Sequence, residues 1–377
     1  MNKVPFYDLR ELHAATGTQE EIDAAVLRVA RSGVYLLGPE LDSFEGAFAE
    51  YCENSHCVAT GSGLAALELA LTAMGVGPGD EVIVPAHTFV ATWLAVSATG
   101  ARPVPVEPGD DSFLLDTDRL EAVVTPRTRA VVPVHLYGHP VDLDAVDRFA
   151  GRHGLAVVED AAQAHGARYR GRRVGSGHAV AFSFYPGKNL GSLGDGGAVV
   201  TGDADLAERL RLLRNYGARE KYVHEVKGTN SRLDEMRAAV LAVKLPRLDG
   251  WNERRRAVAG RYTEAFAGLP GLRTPDVAPW AEHVWHQYVL RTPHRAAMRD
   301  RLAGAGVDTL LHYPVANHLA PAYAGQGVEP DGGLPRTERL AGEVLSLPIG
   351  PHLPDESVEL VVDAVRAAAL DLAAAAV

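Results

Sequence analysis

The chain has 377 residues, of which 47% are hydrophobic and 23% are charged, and its formal net charge is −11 at pH 7. This length exceeds what one small domain needs, so two domains are expected. The acidic balance excludes a general nucleic-acid binder, which needs a basic face. The only cysteines, Cys52 and Cys57, have a C-x4-C spacing without a second pair, which is a poor zinc signature, and we predict no metal site.

The N-terminal stretch MNKVPFYDLRELH contains no apolar segment of the kind that directs secretion or crosses a bilayer. We expect no disulfide framework from only two cysteines. Both are expected to be reduced thiols, which is typical of proteins in a reducing compartment. We therefore expect a cytoplasmic protein with neither a membrane nor a nucleic acid as its partner.

Buried-strand patterns alternate with helical patterns along the first 245 residues. The strand patterns cover residues 56–60, 82–86, 102–108, 130–138, 155–162, 179–185 and 196–202. The helical patterns cover residues 18–32, 40–51, 64–74, 88–100, 141–154 and 231–245. This alternation predicts an α/β fold with a large, mostly parallel sheet.

The pattern changes after residue 250, where a long helix is expected to link to a second region. Residues 284–292 read as a strand and residues 295–306 as a helix. The sequence thus predicts a large α/β domain over residues 1–250 and a smaller α+β domain over residues 251–377.

The stretch GSGLAA, from Gly61 to Ala66, lies between a predicted strand and a predicted helix. Backbone N–H groups and the positive end of a helix dipole at such a turn can hold a phosphate. The stretch also fits G-x-G-x-x-A, so a nicotinamide-dependent oxidoreductase is an alternative. Its ribose-binding acid should close the next strand, but Asp80 and Glu81 open that strand instead. A tight turn without a ligand is a further alternative.

Asp160 follows Glu159 near the carboxyl end of a predicted central strand. Open α/β sheets bind ligands at this edge, and a carboxylate there could pair with a cationic ring nitrogen. An ordinary acid at a strand end is the other interpretation.

Lys188 lies in the glycine-rich turn PGKNLG, directly after the apolar run AVAFSFY. The chain has five lysines and thirty-two arginines, so a lysine in this apolar setting is notable. Desolvation lowers the pKa of a lysine and makes it a nucleophile for Schiff-base chemistry, which arginine cannot perform. The alternative is a surface lysine in a flexible turn.

A phosphate cradle, a carboxylate for a pyridinium nitrogen and a lysine for an aldehyde are together what pyridoxal phosphate requires. They occur here in that order along one predicted α/β domain. Each signal is weak alone, and their combination is far more specific.

The sequence resembles the DegT/StrS family of sugar aminotransferases over nearly its whole length. The matching stretches include GPELDSFEGAFAEYC, GSGLAALELAL, VEDAAQAHGARYRGRRVG, FSFYPGKNLGSLGDGGAVVT and NSRLDEMRAA. The resemblance implies the fold-type I architecture of aspartate aminotransferase, with pyridoxal 5′-phosphate and its pyridoxamine form as the cofactor.

The same resemblance assigns roles around the cofactor ring. It implies that Lys188 forms the Schiff base and that Asp160 keeps the pyridine nitrogen protonated. Gln163, one helical turn beyond Asp160, would bond the ring oxygen, and Phe89 would stack on the ring face.

For the phosphate, the resemblance implies Ser62, Gly63 and Ser183. It also implies that Asn230 reaches the phosphate of a partner subunit. An obligate homodimer with shared active sites follows from that expectation.

The finer likeness is to enzymes that aminate C3 of a dTDP-3-keto-6-deoxyhexose, with L-glutamate as the donor, in deoxyaminosugar and antibiotic biosynthesis. It rests on FVATWLAVS, VPVEP, EDAAQAHGARYRG and KYVHEVKG. In that branch, residues matching Tyr185, Lys221, His312 and Tyr313 lie near the sugar. A C4 aminotransferase of the same family and a non-catalytic binder of the cofactor or nucleotide sugar stay open as alternatives.

Overall fold

The computed structural model describes residues 3–109, 112–330 and 332–375. The α-helices in these residues are α1 (Leu9–Ala15), α2 (Gln19–Ser32), α3 (Pro39–Tyr51), α4 (Gly63–Ala73), α5 (Val90–Ala98), α6 (Leu143–His153), α7 (Ala204–Arg214), α8 (Glu235–Lys244), α9 (Leu248–Phe266), α10 (Arg295–Gly304), α11 (Pro335–Glu343) and α12 (Asp355–Ala374). In this part of the chain, no helix combines the length and the apolar character that crossing a membrane requires.

The strands are short and are distributed along the whole chain. They are β1 (His56–Thr60), β2 (Glu81–Pro85), β3 (Arg102–Val106), β4 (Thr128–Val131), β5 (Ala156–Val157), β6 (Glu159–Asp160), β7 (Arg168–Tyr169), β8 (Arg172–Arg173), β9 (Val180–Ser183), β10 (Gly197–Thr201), β11 (Ala218–Glu220), β12 (Val223–His224), β13 (Ala281–Glu282), β14 (Tyr288–Arg291) and β15 (Val344–Leu347).

The main sheet consists of two four-stranded halves, with strand orders β3-β2-β4-β5 and β1-β10-β9-β6. Residues 156–160 join the halves, since the Val158 N–H donates to Val131 O at 3.1 Å and the Glu159 N–H donates to Ala179 O at 2.9 Å. All pairs are parallel except the two that β10 makes, with β1 and with β9. The mostly parallel α/β sheet that the sequence predicts is therefore confirmed.

Helices cover both faces of this sheet, and a hydrophobic core lies on each face. Successive side chains of a strand point to opposite faces, so they enter the two cores alternately. Val58 and Val199 pack with α4, α5 and α7 on one face. Ala59 and Val200 pack with α3 and α8 on the other face.

A separate hydrophobic core lies in the C-terminal part of the chain. The antiparallel pair β14–β15 packs there with α9, α10 and α12. Val4 joins this core, because its N–H donates to Gly306 O at 2.8 Å and its carbonyl accepts from the Asp308 N–H at 3.0 Å. The division of the chain at residue 250 stays a prediction.

Most observed strands are shorter than the sequence predicts, and β4 and β14 show the largest differences. β4 ends at Val131, and the chain then runs to Tyr137, which has a φ of 60°. β14 begins at Tyr288, because Trp285 has a φ of 50°. A left-handed residue cannot continue a β-strand, which is why Tyr137 and Trp285 lie in loops and not in the strands that the apolar runs predict.

One buried ion pair ties α3 to α7 and to the strand between them. Arg214 donates to Glu45 and, at 2.7 Å, to Ala59 O, while Glu45 Oε1 accepts the Ala59 N–H at 2.8 Å. Both side chains are almost fully buried. Removing one member would leave the other charge buried without compensation.

We predict that Arg214→Ala lowers the free energy of unfolding by about 3–5 kcal/mol. Urea denaturation followed by circular dichroism measures the change. Arg211→Ala is the matched control, because Arg211 lies on the same helix in a solvent-exposed pair with Glu208 and should cost less than about 1 kcal/mol. Equal losses in the two variants would contradict the prediction.

Candidate active site

Lys188 lies in a tight turn that follows β9. Its N–H donates to Tyr185 O at 2.8 Å, and the Ser192 N–H returns to Phe184 O at 2.8 Å. The turn needs Gly191, because a Cβ there would lie 2.2 Å from Pro186 O. The Lys188 charge acts on Asp160, His165, His286 and His312, so these side chains lie near the lysine. We call the region around Lys188, Asp160 and His312 the crevice.

The Lys188 side chain is only partly accessible, and burial lowers its pKa from 10.5 to about 8, against the opposing effect of the Asp160 charge. Its Nζ forms no hydrogen bond or ion pair with any described residue. At neutral pH a lysine of this pKa has on the order of a hundred times more free amine than an ordinary one. This lowered pKa is what the predicted Schiff-base role of Lys188 requires.

Asp160 ends β6 with its carboxylate buried. Oδ2 accepts from Thr92 Oγ1 at 2.8 Å, and Oδ1 accepts from the Ala162 N–H at 3.1 Å. Burial raises the pKa of Asp160, while these two donors and the Lys188 charge oppose the rise. Among the described residues, no basic side chain forms an ion pair with Asp160, so this carboxylate fits a ligand that brings a cationic nitrogen.

Gln163 lies close to Asp160 in sequence but not on a helix, which corrects the expected spacing of one helical turn. Residues 161–167 form two successive turns instead, in which the Ala164 N–H donates to Ala161 O at 2.9 Å and the Ala167 N–H donates to Ala164 O at 3.0 Å. Gln163 Oε1 accepts the Tyr137 N–H at 2.6 Å, and Nε2 donates to Tyr313 Oη at 3.0 Å. The amide is therefore held in one orientation beside the carboxylate.

Phe89 precedes α5 and leaves 49% of its surface exposed. Its ring centroid lies 5.3 Å from that of Tyr313. A half-exposed aromatic ring next to the Gln163–Tyr313 pair can stack on a planar ligand. The structure thus brings together Phe89, Gln163 and Tyr313, which lie far apart in the sequence.

The predicted phosphate residues converge at the start of α4. Ser62 caps this helix, with Oγ accepting the Ala65 N–H at 3.1 Å. A Cβ on Gly63 would lie 2.5 Å from Ser183 Cβ, so only glycine allows this approach. The first N–H groups of a helix lack intrahelical acceptors, and two serine hydroxyls flank them here. This donor set suits a phosphate.

His312 and Tyr313 form one wall of the crevice. His312 Nδ1 is hydrogen-bonded to Ser346 Oγ at 2.8 Å, and its carbonyl accepts from Tyr137 Oη. Burial, and then the Lys188 charge, lower the pKa of His312 to about 4, so its ring is neutral at pH 7. A neutral imidazole there can take part in hydrogen bonds to sugar hydroxyls.

The remaining predicted residues are exposed. Tyr185 has 57% of its surface exposed. Lys221 lies on the β11–β12 hairpin region, with Nζ 5.1 Å from the centre of the Tyr222 ring. Asn230 pairs through its backbone with Asn215. The roles of Lys221 and Asn230 toward a sugar or a partner subunit stay predictions.

Two contributing residues were missed from the sequence. Thr92 lies three positions beyond Phe89, and this spacing, which places side chains on one face of a helix, could have suggested it. Tyr137 offered no comparable signal, because its contact with Gln163 depends on a left-handed turn.

The pattern of the DegT/DnrJ/EryC1/StrS aminotransferase family matches residues 17–366. A dTDP-3-amino-3,4,6-trideoxy-alpha-D-glucose transaminase of Streptomyces venezuelae is 61% identical over 365 residues, which are 97% of this chain and 96% of that protein. The crystal structure of S. venezuelae DesV in complex with ketimine intermediate has a TM-score of 0.95 at 60% identity, and the match covers 98% of this chain and 99% of that chain.

Bacillus subtilis NtdA, solved with bound cofactor PMP, has a TM-score of 0.89 at 31% identity, covering 98% of this chain and 86% of that chain. These likenesses confirm the fold-type I architecture and the aminotransferase chemistry that the sequence predicts. The family and the PMP-bound neighbour imply pyridoxal phosphate and its pyridoxamine form as the cofactor. The chain belongs to the DegT/DnrJ/EryC1/StrS aminotransferase family.

Proposed function

We propose that this enzyme transfers the amino group of L-glutamate to the C3 ketone of a dTDP-3-keto-6-deoxyhexose, in deoxyaminosugar biosynthesis. The observation that carries the proposal is a desolvated, unpaired Lys188 near the buried Asp160, which lacks a cationic partner. The name of the S. venezuelae relative, a 3-amino sugar transaminase, supports the C3 position.

Pyridoxal phosphate fits the residues of this site, and each would meet a different part of it. Asp160 would hold the proton on the ring nitrogen, and Gln163 would bond the ring oxygen. Phe89 would cover the ring face. When bound, the cofactor supplies an aldehyde for Lys188 and a protonated ring that withdraws electrons from the carbon losing its proton.

The phosphate would bind where α4 begins. Ser62 and Ser183 offer hydroxyl donors, and Gly63 lets the backbone approach closely. Because the helix dipole places partial positive charge at this end, the cradle compensates the phosphate charge without a basic side chain from α4.

Lys188 has a second role as the general base. With a pKa of about 8, its Nζ can take the proton from Cα of the amino donor and deliver a proton in the sugar half-reaction. Arginine at this position would keep the charge but could neither form an imine nor accept the proton.

The sugar nucleotide would bind at the exposed side of the crevice. Tyr185 and the His312–Tyr313 pair offer hydrogen-bonding groups for hydroxyls there. Lys221, from the β11–β12 hairpin region, can meet a diphosphate as a positive charge.

A homodimer with shared active sites completes the proposal. Residues 34–37, with the sequence VYLL, are all exposed, and such a contiguous apolar patch is typical of an interaction surface. Asn230 is exposed, so its side chain is accessible to a second protomer. Its neighbour Ser231 accepts the Gly61 N–H of the same chain at 3.0 Å, so the loop also adjoins its own phosphate cradle. On the family resemblance, we assign Asn230 to the phosphate of the partner subunit.

The oxidoreductase alternative loses its support. Glu81, a candidate for the ribose-binding acid, instead accepts from Thr125 and Arg127 at the opening end of β2. The proposed enzyme, a C4 aminotransferase and a non-catalytic binder would give different products from the same ketosugars. One experiment therefore distinguishes the three.

The enzyme loaded with pyridoxal phosphate and L-glutamate should convert a dTDP-3-keto-6-deoxyhexose to its 3-amino sugar. Nuclear magnetic resonance of the product identifies the aminated carbon. Lys188→Ala and Lys188→Arg should each fall below about one thousandth of the parent rate, because both lose the imine and the general base. Lys3→Arg, at a surface ion pair, should keep full activity.

Turnover of only the 4-keto isomer would support the C4 enzyme. A cofactor absorbance band that ignores glutamate and every ketosugar would support a binder. Full activity of either Lys188 variant would refute the assigned role of this lysine.

We predict that Gly63→Ala weakens pyridoxal phosphate binding at least about tenfold, because the new methyl group would collide with Ser183. An absorbance titration of the cofactor-free protein measures the dissociation constant. Gly46→Ala is the control, since a Cβ there meets nothing within 4 Å. An unchanged dissociation constant for Gly63→Ala would rule out the cradle.

Mixed dimers test the shared site. If Asn230 acts across the interface, a mixture of Lys188→Ala and Asn230→Ala protomers regains about one quarter of the parent activity, because half of the dimers hold one intact site. Each variant alone is expected to be strongly impaired. The measurement is the initial rate after subunit exchange. If the mixture stays as inactive as the separate variants, Asn230 either acts in its own protomer or does not belong to the site.

A further inference from the structure

The N-terminal segment from Val4 to Asp8 is held in place at both of its ends. The Val4 N–H donates to Gly306 O at 2.8 Å, and the Val4 carbonyl accepts from the Asp308 N–H at 3.0 Å. Asp8 caps α1, because its Oδ1 accepts from two backbone N–H groups of that helix at 3.1 and 3.0 Å. The three residues between these anchors therefore have a fixed course across the protein.

This course brings two aromatic side chains of the segment to the crevice. The ring centroid of Phe6 lies 5.9 Å from that of His312. A Cβ built on Gly187 would lie 3.4 Å from Tyr7 Oη, so the hydroxyl of Tyr7 lies beside the residue that precedes Lys188. Tyr7 is half-buried, which leaves part of its side chain accessible to a ligand.

A buried cation lies near the hydroxyl of Tyr7. Arg255, on α9, is only 3% exposed, and its Nη1 donates to Trp285 O at 3.1 Å and to Ile349 O at 3.2 Å. Among the described residues, no acid forms an ion pair with Arg255. Burial raises the pKa of Tyr7, and the nearby Arg255 charge opposes that rise. A buried charge is normally compensated by an opposite charge, which a ligand anion at Tyr7 would supply here.

The other ionisable groups of the crevice do not attract an anion in this way. Burial keeps His286 and His312 neutral, and Asp160 is an acid. Lys188 is the group assigned to the imine. A carboxylate that enters the crevice is therefore drawn to the side where the Arg255 charge lies.

We propose that Tyr7 contacts the amino donor, with its hydroxyl donating a hydrogen bond to a carboxylate of L-glutamate. Arg255 is a positioning residue in this proposal, because it acts on the carboxylate through its charge and through Tyr7. The inference deepens the proposed function, on which the choice of L-glutamate rests. It assigns to the N-terminal segment a part in recognising the donor.

Glutarate is the probe, because it carries both carboxylates of glutamate but no amino group and so binds without reacting. Isothermal titration calorimetry of the cofactor-loaded enzyme measures its dissociation constant. Tyr7→Phe should weaken glutarate binding about tenfold, because it removes a hydrogen bond to a charged group. The neutral diamide glutaramide should bind the parent enzyme at least about tenfold more weakly than glutarate, because it lacks the charge that Arg255 attracts.

Tyr169→Phe is the matched control. It removes the hydroxyl of another tyrosine, which donates to Asp142 Oδ1 at 2.7 Å and belongs to no assigned site. Glutarate affinity should stay unchanged in this variant. Equal glutarate affinity in the parent and in Tyr7→Phe would overturn the proposal.

The two half-reactions give a second readout. Tyr7→Phe should raise the KM for L-glutamate about tenfold and leave the KM for the ketosugar within about twofold of the parent value. A loss confined to the ketosugar half-reaction would overturn the proposal and assign Tyr7 to the sugar. A parent enzyme that binds glutarate through Tyr7 but is not converted by L-glutamate would keep the carboxylate site and contradict the donor in the proposed function.

Discussion

The site depends on one short strand segment. Residues 156–160 hydrogen-bond to β4 on one side and to β9 on the other, and so join the two halves of the sheet. Because the segment lies in the middle of the sheet, its carboxyl end is buried from both sides. Asp160 is the residue at that end, and its carboxylate is held by Thr92 and by the Ala162 N–H where water has little access.

Desolvation sets the protonation states of the groups around that carboxylate. The same burial that raises the pKa of Asp160 lowers the pKa of Lys188 to about 8 and the pKa of His165 to about 3. His286, also buried, is kept neutral as well. Neutral imidazoles therefore surround Lys188, its amine loses the proton more readily than that of an ordinary lysine, and the ligand itself must bring the cation that Asp160 lacks.

Tyr137 contacts Gln163, His312 and His87, which come from three distant parts of the sequence. Its left-handed backbone lets its N–H reach Gln163, while its hydroxyl reaches the carbonyl of His312 and the ring of His87. Its ring also packs on that of Phe113, and its carbonyl accepts the Gln287 N–H at 3.3 Å. The orientation of Gln163 thus depends on residues from both the sheet region and the C-terminal region.

The sequence by itself determined the alternation of strands and helices, the mostly parallel sheet, and the positions of Lys188 and Asp160 at its edge. These features follow from local patterns, since apolar periodicity sets the elements and the glycine-rich turn places the lysine. Only the tertiary structure decided that Phe89 lies against Tyr313, that Thr92 bonds Asp160, and that β10 runs antiparallel to both of its neighbours. Such contacts join residues tens to hundreds of positions apart, and they depend on how the elements pack rather than on any pattern within one of them.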